Sequence, residues 1–242
     1  MTRDISPDVQ RVRLLLTEPH PCSYLPDQQA TTAFVDPQQY VDMRLYSRLS
    51  RLGFRRSGKY LYIPRCAKCS ACLATRIRVA TFNSNRQQRK CLKRNQDLRV
   101  GSNRYIDVAE HYPLYQTYIA NRHNDGDMFP PTIQQYNDFI NSLTEISSIN
   151  EFRYQGKLVA ASVMDRLDDG LSAIYTYFSP GEAKRSLGTF AILTAIEQAK
   201  TLGLPFVYLG YWIKNCHKMS YKSRFDSLEV LLGGEWIDLP VE

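Results

Sequence analysis

The order of apolar segments in the second half of the chain limits the fold more than any other feature. Residues 152–164 are predicted to form two strands separated by a turn, and residues 171–178 a third strand. A mostly apolar helix then ends at Lys200, and an aromatic-rich strand follows over 206–213. Because a helix that is apolar on most sides has to be covered, this order predicts a mixed sheet with flanking helices, an α+β fold.

The charges of the 242 residues are divided unequally along the chain. Residues 1–104 contain 20 Lys and Arg against 7 Asp and Glu, whereas residues 105–242 contain 11 against 17. Between Arg44 and Arg104 the only acidic residue is Asp97. One-sided positive charge of this kind indicates a polyanionic partner, most often a nucleic acid. We therefore expect a smaller, basic, cysteine-containing domain over 1–104 and a second domain over 105–242.

The sequence also limits where the protein works. No stretch reaches the length of a membrane-spanning helix, and the N-terminus lacks the charged and then apolar pattern of a secretion signal. We therefore expect a cytoplasmic protein with no membrane partner. In that compartment the six cysteines are not expected to form structural disulfides.

Four cysteines in the basic half form a candidate metal site. Three of them follow one another at intervals of three residues and the fourth lies in a proline-rich loop: Cys66, Cys69, Cys72 and Cys22. Thiolates at this spacing suit zinc or an iron–sulfur cluster equally. Buried thiols without a metal explain the residues equally well. The neighbouring cations Arg65, Lys68 and Arg76 are expected to lower the pKa of these thiols.

Cationic side chains recur in three segments of the same half. A helix predicted over 38–52 and another over 83–95 carry a candidate phosphate-binding set, which consists of Arg44, Arg48, Arg51, Arg86, Arg89, Lys93 and Arg94. The segment Arg55-Arg56-Ser57-Gly58 combines planar guanidinium groups with a flexible backbone, which suits a carboxylate or a phosphate. Solvated helix faces and a solvated loop are the alternative interpretation.

Several motifs are similar to those of the aminoacyl-tRNA–protein transferase family and occur in the same order. They are Pro21-Cys22-Ser23-Tyr24-Leu25-Pro26, Gly53-Phe54-Arg55-Arg56-Ser57-Gly58, Cys66-Ala67-Lys68-Cys69-Ser70-Ala71-Cys72, Lys93-Arg94-Asn95-Gln96-Asp97, Tyr208-Leu209-Gly210-Tyr211-Trp212-Ile213 and Lys218-Met219-Ser220-Tyr221-Lys222. Within this family the chain most resembles the compact bacterial branch that uses leucyl-tRNA and acceptors beginning with Asp or Glu.

The resemblance implies that leucine is transferred from leucyl-tRNA to the N-terminal amine of such proteins, which marks them for degradation by the N-end rule pathway. The basic domain would then recognise the tRNA and the acceptor N-terminus. Because the donor is an activated ester and the α-amine has a pKa of about 7.7–8.0, the transfer requires no cofactor and depends mainly on orientation. An arginyl-tRNA donor and a non-catalytic RNA-binding zinc module are the alternatives.

The second half is also similar to the Gcn5-related N-acyltransferase (GNAT) fold. Arg185 and Gly188 match part of its donor-binding motif, but Phe190 stands where a small residue is usual, and this departure argues against an ordinary acetyltransferase. A tyrosine on the strand predicted over 206–213 has an alternative role, which is packing in the core.

The two resemblances together suggest two kinds of site residue. The candidate catalytic residues are Tyr211 and Tyr221, as proton relays to the leaving ribose oxygen, and Lys214. The candidate substrate-binding residues are Arg55, Arg56, Ser57, Arg76, Lys218 and Lys222.

Overall fold

The computed structural model describes residues 12–214 and 216–239. The strands are β1 (Leu14–Leu16), β2 (His20–Pro21), β3 (Gln29–Ala30), β4 (Thr32–Val35), β5 (Arg55–Ser57), β6 (Tyr60–Pro64), β7 (Leu73–Arg78), β8 (Arg99–Asn103), β9 (Ser147–Tyr154), β10 (Lys157–Arg166), β11 (Gly170–Phe178), β12 (Phe206–Trp212), β13 (Leu228–Leu232) and β14 (Glu235–Asp238). The helices are α1 (Met43–Arg51), α2 (Arg86–Arg94), α3 (Val108–Arg122), α4 (Ile133–Phe139) and α5 (Leu187–Thr201). Three short 3-10 helices span Val79–Thr81, Pro180–Arg185 and His217–Arg224. No helix within these ranges is both long and apolar enough to cross a bilayer.

An eight-stranded mixed sheet forms the centre of the fold, with the strand order β14-β13-β7-β12-β11-β10-β9-β8. Its neighbours are antiparallel except for β11 and β12, which are parallel and are joined through α5. A parallel pair requires such a crossover, because the chain must return to the end of the sheet where it started. The predicted α+β fold with a mixed sheet and flanking helices is confirmed.

Residues before and after position 104 share this sheet. Strand β7 comes from the basic half and lies between β12 and β13, and β8 forms an edge beside β9. The remaining strands of the basic half build a four-stranded sheet in the order β1-β4-β6-β5 and a small β2-β3 hairpin. The expected boundary at residue 104 is therefore not a boundary between two separate sheets.

The large sheet is covered on both faces. On one face, α5 packs against Val207 and Leu209 of β12, and α2 packs against α5. On the other face, Tyr208 lies against α1 and the four-stranded sheet, while α3 and α4 cover β10 and β11. Because successive side chains of a strand point to opposite faces, helices α1 and α2 lie on opposite sides of the large sheet.

Both basic helices are shorter than predicted, because side-chain caps fix where they start. Asp42 accepts a hydrogen bond from the backbone amide of Leu45 at 2.7 Å and begins α1. Asn85 and Gln88 cap the first turn of α2 reciprocally. The preceding residues, predicted as helical from 38 and 83, therefore remain outside the two helices.

The parallel strands β11 and β12 separate toward their carboxyl ends. They pair only where Gly170–Ser172 meet Phe206–Tyr208, although β11 continues to Phe178 and β12 to Trp212. Sheets of the α/β class bind ligands at the carboxyl ends of strands where neighbours diverge in this way. This opening is the starting point for the search for a site.

Candidate functional site

Four candidate residues lie in the segment that follows β12 at the opening. Lys214 is exposed directly after the strand, and the 3-10 helix His217–Arg224 carries Lys218, Tyr221 and Lys222. Tyr211 lies within the diverging part of β12 itself. The structure thus gathers all three predicted catalytic residues and two of the predicted substrate-binding residues at one end of the sheet.

Lys222 is a buried cation beside this opening. Its side chain is 5% exposed, and Nζ donates a hydrogen bond to the backbone carbonyl of Tyr211. Burial, followed by the charge of Arg55, lowers the pKa of Lys222 to about 7. No carboxylate in the described part of the chain pairs with it. An ammonium group has three hydrogens to donate, so Lys222 retains donor capacity for a ligand.

Arg55 is a second buried cation without a carboxylate partner among residues 12–214 and 216–239. Its guanidinium group donates to the backbone carbonyls of Ser50, Phe54 and Thr75 at 3.2, 2.7 and 3.2 Å. Its Nε atom, although buried, has no hydrogen-bond partner in these ranges. Burial lowers the pKa of Arg55. The group therefore holds the end of α1 against β7 and also adds uncompensated positive charge close to Lys222.

A register irregularity in β12 places two tyrosines beside Arg55. The pairing of β12 with β7 shifts between Tyr208 and Gly210, so one extra residue is accommodated there. As a result, the rings of Tyr208 and Tyr211 lie 5.2 and 5.9 Å from the Arg55 guanidinium carbon. Gly210 has a φ of +77°, a conformation that glycine adopts without strain.

The two candidate proton relays differ in their surroundings. The Tyr211 hydroxyl donates to the carbonyl of Gly53 at 2.8 Å, and burial raises the pKa of Tyr211 well above its ordinary value. This hydrogen is committed to the backbone, so the structure corrects the expectation that Tyr211 relays a proton. Tyr221 is 40% exposed and is the accessible phenol of the two.

Two predicted substrate-binding arginines belong to the framework. Arg56 binds both carboxylate oxygens of the fully buried Asp165 at 2.6 and 2.8 Å. Arg76 donates to Glu229 at 2.6 Å and lies between the rings of Phe206 and Trp236. Because their guanidinium groups are already paired with buried carboxylates, the expectation that they bind substrate is corrected. Ser57 is half-buried on β5.

Polar surface contacts join the loops around the opening. Lys218 donates to both carboxylate oxygens of Asp125 at 2.9 and 2.8 Å, which ties the 3-10 helix to the loop after α3. Ser23 donates to Asp127 of the same loop at 2.9 Å. Both contacts are exposed, so each contributes little stability by itself. They position three loops around one site.

The four candidate metal ligands are half-buried free thiols that lie near one another. Burial, followed by the proximity of Cys66, Cys22, Cys69 and Cys216, raises the pKa of Cys72 to about 11. The expected lowering of the pKa by nearby cations is therefore wrong for Cys72. In the described ranges no group of three His, Cys, Asp or Glu side chains is arranged to hold a metal ion. Metal binding stays a prediction.

Cys216 was missing from the predicted set. It lies 144 residues after Cys72, the nearest member of that set in sequence, and spacing alone gives no signal for it. The total of six cysteines was the available signal, since it left two without an assigned role.

The predicted phosphate-binding residues do not form one continuous surface. Those of α2 are exposed on one side of the large sheet, whereas those of α1 lie on the other side. On α1, Arg44 is exposed, Arg48 is half-buried, and Arg51 pairs with Asp169 at 3.3 Å. Their binding of tRNA stays a prediction.

Comparisons with known proteins match nearly the whole chain. The family models described as "Arginine-tRNA-protein transferase, N terminus" and "Arginine-tRNA-protein transferase, C terminus" match residues 20–90 and 110–232. The aspartate/glutamate leucyltransferase of Pseudomonas fluorescens (strain Pf0-1) is 49% identical over 232 residues, which cover 96% of this chain and 99% of that protein. The protein of the same name from Saccharophagus degradans is 47% identical over 95% of this chain and 98% of that protein.

Two solved structures are more distant. The structure of L-PGS from Bacillus licheniformis is 12% identical, covers 70% of this chain and 49% of that chain, and gives a TM-score of 0.46. The C-terminal domain of a putative lysylphosphatidylglycerol synthetase from Agrobacterium fabrum is 16% identical, covers 59% and 47%, and gives a TM-score of 0.45. The matched family models and the relatives of nearly equal length show that this chain belongs to the arginine-tRNA-protein transferase family, together with the aspartate/glutamate leucyltransferases.

Proposed function

We propose that the chain transfers leucine from leucyl-tRNA to the N-terminal amine of proteins that begin with Asp or Glu. Relatives named aspartate/glutamate leucyltransferase, about half identical over nearly the full length, support this reaction. The structural observation that carries it is Lys222, a buried cation without a carboxylate at the opening between β11 and β12.

The acceptor carboxylate compensates Lys222 in this proposal. A buried ammonium group is costly unless an anion pairs with it. An aspartate or glutamate side chain entering the opening supplies that anion and accepts a charge-assisted hydrogen bond from Nζ. Arg55 adds positive potential from close by, and Lys214 and Lys218 border the entrance. A neutral N-terminal side chain forms no ion pair with Lys222 and is not attracted by this positive potential.

The chemical step exchanges one acyl bond for another. The α-amine nitrogen attacks the ester carbonyl of the leucyl group, an amide C–N bond forms, and the C–O bond to the ribose breaks. One proton leaves the amine and one is taken up by the ribose oxygen, so charge and atoms balance. Tyr221, exposed and adjacent to Lys222, is the phenol available to pass that proton, since partial desolvation raises the pKa of Tyr221 to about 12 and keeps it protonated at neutral pH.

The biological setting follows from the substrates. Charged tRNA is a cytoplasmic molecule, so we infer that the protein works in the cytoplasm and marks its acceptors for degradation by the N-end rule pathway. We also propose that Cys22, Cys66, Cys69 and Cys72 take up zinc or an iron–sulfur cluster. The side chains as arranged do not form a ligand set, and no step of the transfer uses such a group.

Mass spectrometry of acceptor peptides tests the reaction. The purified chain is incubated with leucyl-tRNA or arginyl-tRNA and with peptides that begin with Asp, Glu or Asn. We expect the mass of one leucine residue to be added to the Asp and Glu peptides. Addition of arginine instead, or equal modification of the Asn peptide, contradicts the donor or the acceptor assignment, respectively.

A variant distinguishes a loss of acceptor selection from a general loss of transfer activity. Lys222→Met removes the cation, and the loss of a charge-assisted hydrogen bond, about 1.5–3 kcal/mol, predicts about a 10- to 150-fold lower kcat/KM for the Asp peptide. The ratio of Asp to Asn modification should fall with it, which a general structural defect does not cause. Lys200→Met, at an exposed position near the end of α5, is the matched control. An unchanged ratio in Lys222→Met would refute the role.

A further inference from the structure

Helix α2 presents exposed cations that no acidic residue in the described part of the chain neutralises. Its sequence, Arg-Gln-Gln-Arg-Lys-Cys-Leu-Lys-Arg, contains no Asp or Glu. The α2 surface consists of the exposed cations of the helix and of one cation at each end: Arg86, Arg89, Lys90, Lys93, Arg94, Lys184 and Arg224. None of them forms an ion pair with an acid within the described ranges.

Backbone contacts fix the two added cations at the ends of α2. The Asn85 and Gln88 side chains at the start of the helix both donate to the carbonyl of Arg224 at 3.2 Å. At its other end, Arg94 donates to the carbonyl of Lys184. The helix, nine residues or about 13 Å long, therefore connects Arg224 with Lys184.

Two acids at the Arg94 end of this surface are already neutralised. Arg185 binds both oxygens of Asp97 at 2.8 and 2.9 Å and also binds Glu182 at 2.8 Å. This pairing lowers the pKa of Asp97, so its charge stays balanced by Arg185 across the neutral pH range. These two acids therefore do not reduce the positive potential of the α2 surface, and that potential suits a polyanion.

The α2 surface is continuous with the proposed catalytic opening. The 3-10 helix His217–Arg224 carries Lys222 at the opening and, two residues later, Arg224 at the start of α2. Helix α1, by contrast, lies on the other face of the large sheet, and its Arg51 is paired with Asp169. A nucleic acid strand bound along α2 thus reaches the opening with its end.

We propose that the α2 surface, and not α1, binds the phosphates of tRNA next to the aminoacylated 3′ end, with Lys184 and Arg224 as contacts that were not predicted from the sequence. The inference rests on the proposed function, in which the donor is an aminoacyl-tRNA. Contacts to phosphates carry affinity without reading sequence, so the surface serves the stem and end common to all tRNAs. The leucyl group is therefore selected by other parts of the site.

The dependence of tRNA affinity on salt concentration tests whether the α2 surface binds the phosphates of tRNA. Each neutralised phosphate contributes about 0.7–0.9 to the slope of log affinity against log salt concentration. The triple variant Arg89→Gln, Lys90→Gln, Lys93→Gln should therefore reduce the slope for uncharged tRNA by about 2 to 2.7. The double variant Lys184→Gln, Arg224→Gln should reduce it by about 1.4 to 1.8. A control triple at exposed cations elsewhere, Arg44→Gln, Lys59→Gln, Lys157→Gln, should leave it unchanged.

The outcomes of this experiment distinguish a failure of the proposed tRNA-binding surface from a failure of the proposed reaction. A reduced slope in the control triple with an unchanged slope in the α2 triple overturns the assignment, and leucine transfer by the unaltered protein would show that the proposed function still stands. Unaltered protein that binds no tRNA and transfers no leucine overturns both. If the α2 triple loses binding to phosphatidylglycerol vesicles and keeps its slope for tRNA, the surface binds anionic lipid and the proposal is wrong.

Discussion

Removing the charge of Lys222 should stabilise the protein in a pH-dependent way. The pKa of Lys222 in the folded chain is about 7, whereas an unfolded lysine has a pKa of about 10.4. Between these values the unfolded chain binds a proton that the folded chain has released, so stability rises with pH. Below pH 7 both states are protonated, and the folded state carries the full cost of the buried charge.

The size of this effect follows from the two pKa values. Each pH unit well inside the window changes the free energy of unfolding by about 1.4 kcal/mol, and the change from pH 7 to pH 9 amounts to about 2 kcal/mol. Lys222→Met lacks this contribution. The variant should therefore exceed the unaltered protein in stability most at pH 7, and this advantage should shrink by about 2 kcal/mol at pH 9.

Urea unfolding of both proteins at pH 7, 8 and 9 is the assay, because the difference between the two cancels every other titrating group. Lys218→Met controls for the loss of a lysine at an exposed position. A difference that stays constant over this range would refute the argument that burial makes Lys222 titrate near neutrality. A stabilised variant with impaired acceptor selection would show that the free energy cost of burying Lys222 serves binding.

Two further predictions concern the framework and the cysteines. Asp165→Asn leaves the buried Arg56 without a counter-charge and should lower the free energy of unfolding by about 3–5 kcal/mol in urea titrations, whereas Asp125→Asn at the exposed pair with Lys218 should cost at most about 1 kcal/mol. Anaerobically purified protein should contain about one equivalent of zinc or show the visible absorption of an iron–sulfur cluster, lost in Cys72→Ala and kept in Cys91→Ala; a colourless, metal-free protein with full activity would leave the four cysteines as packing residues.

The sequence predicts local structure well and misses pairings between distant residues. The periodicity of apolar residues depends on neighbours along the chain, so the α+β order and the two basic helices were predictable, although the residues at which these helices begin were not. Arg56 meets Asp165 and Arg76 meets Glu229 across 109 and 153 residues, and these carboxylates decide that both arginines are structural. No local pattern contains that information.

Strand β7 gives a second example of this limit. It carries Arg78 and Arg76, of which Arg76 was predicted from the sequence to bind substrate. Its place between β12 and β13 depends on strands that follow more than 120 residues later. The segment is cationic, but most of its positive charge is used in ion pairs within the sheet.

The position of β7 has a consequence for synthesis on the ribosome. This strand leaves the exit tunnel early, but its partner β12 ends at Trp212 and its partner β13 starts only at Leu228. Both of its hydrogen-bonding edges therefore stay unpaired until nearly the whole chain has been translated. A nascent chain that stalls before β12 exposes two unsatisfied strand edges, which favour aggregation and recognition by chaperones. Folding of the large sheet is consequently a late, largely post-translational event.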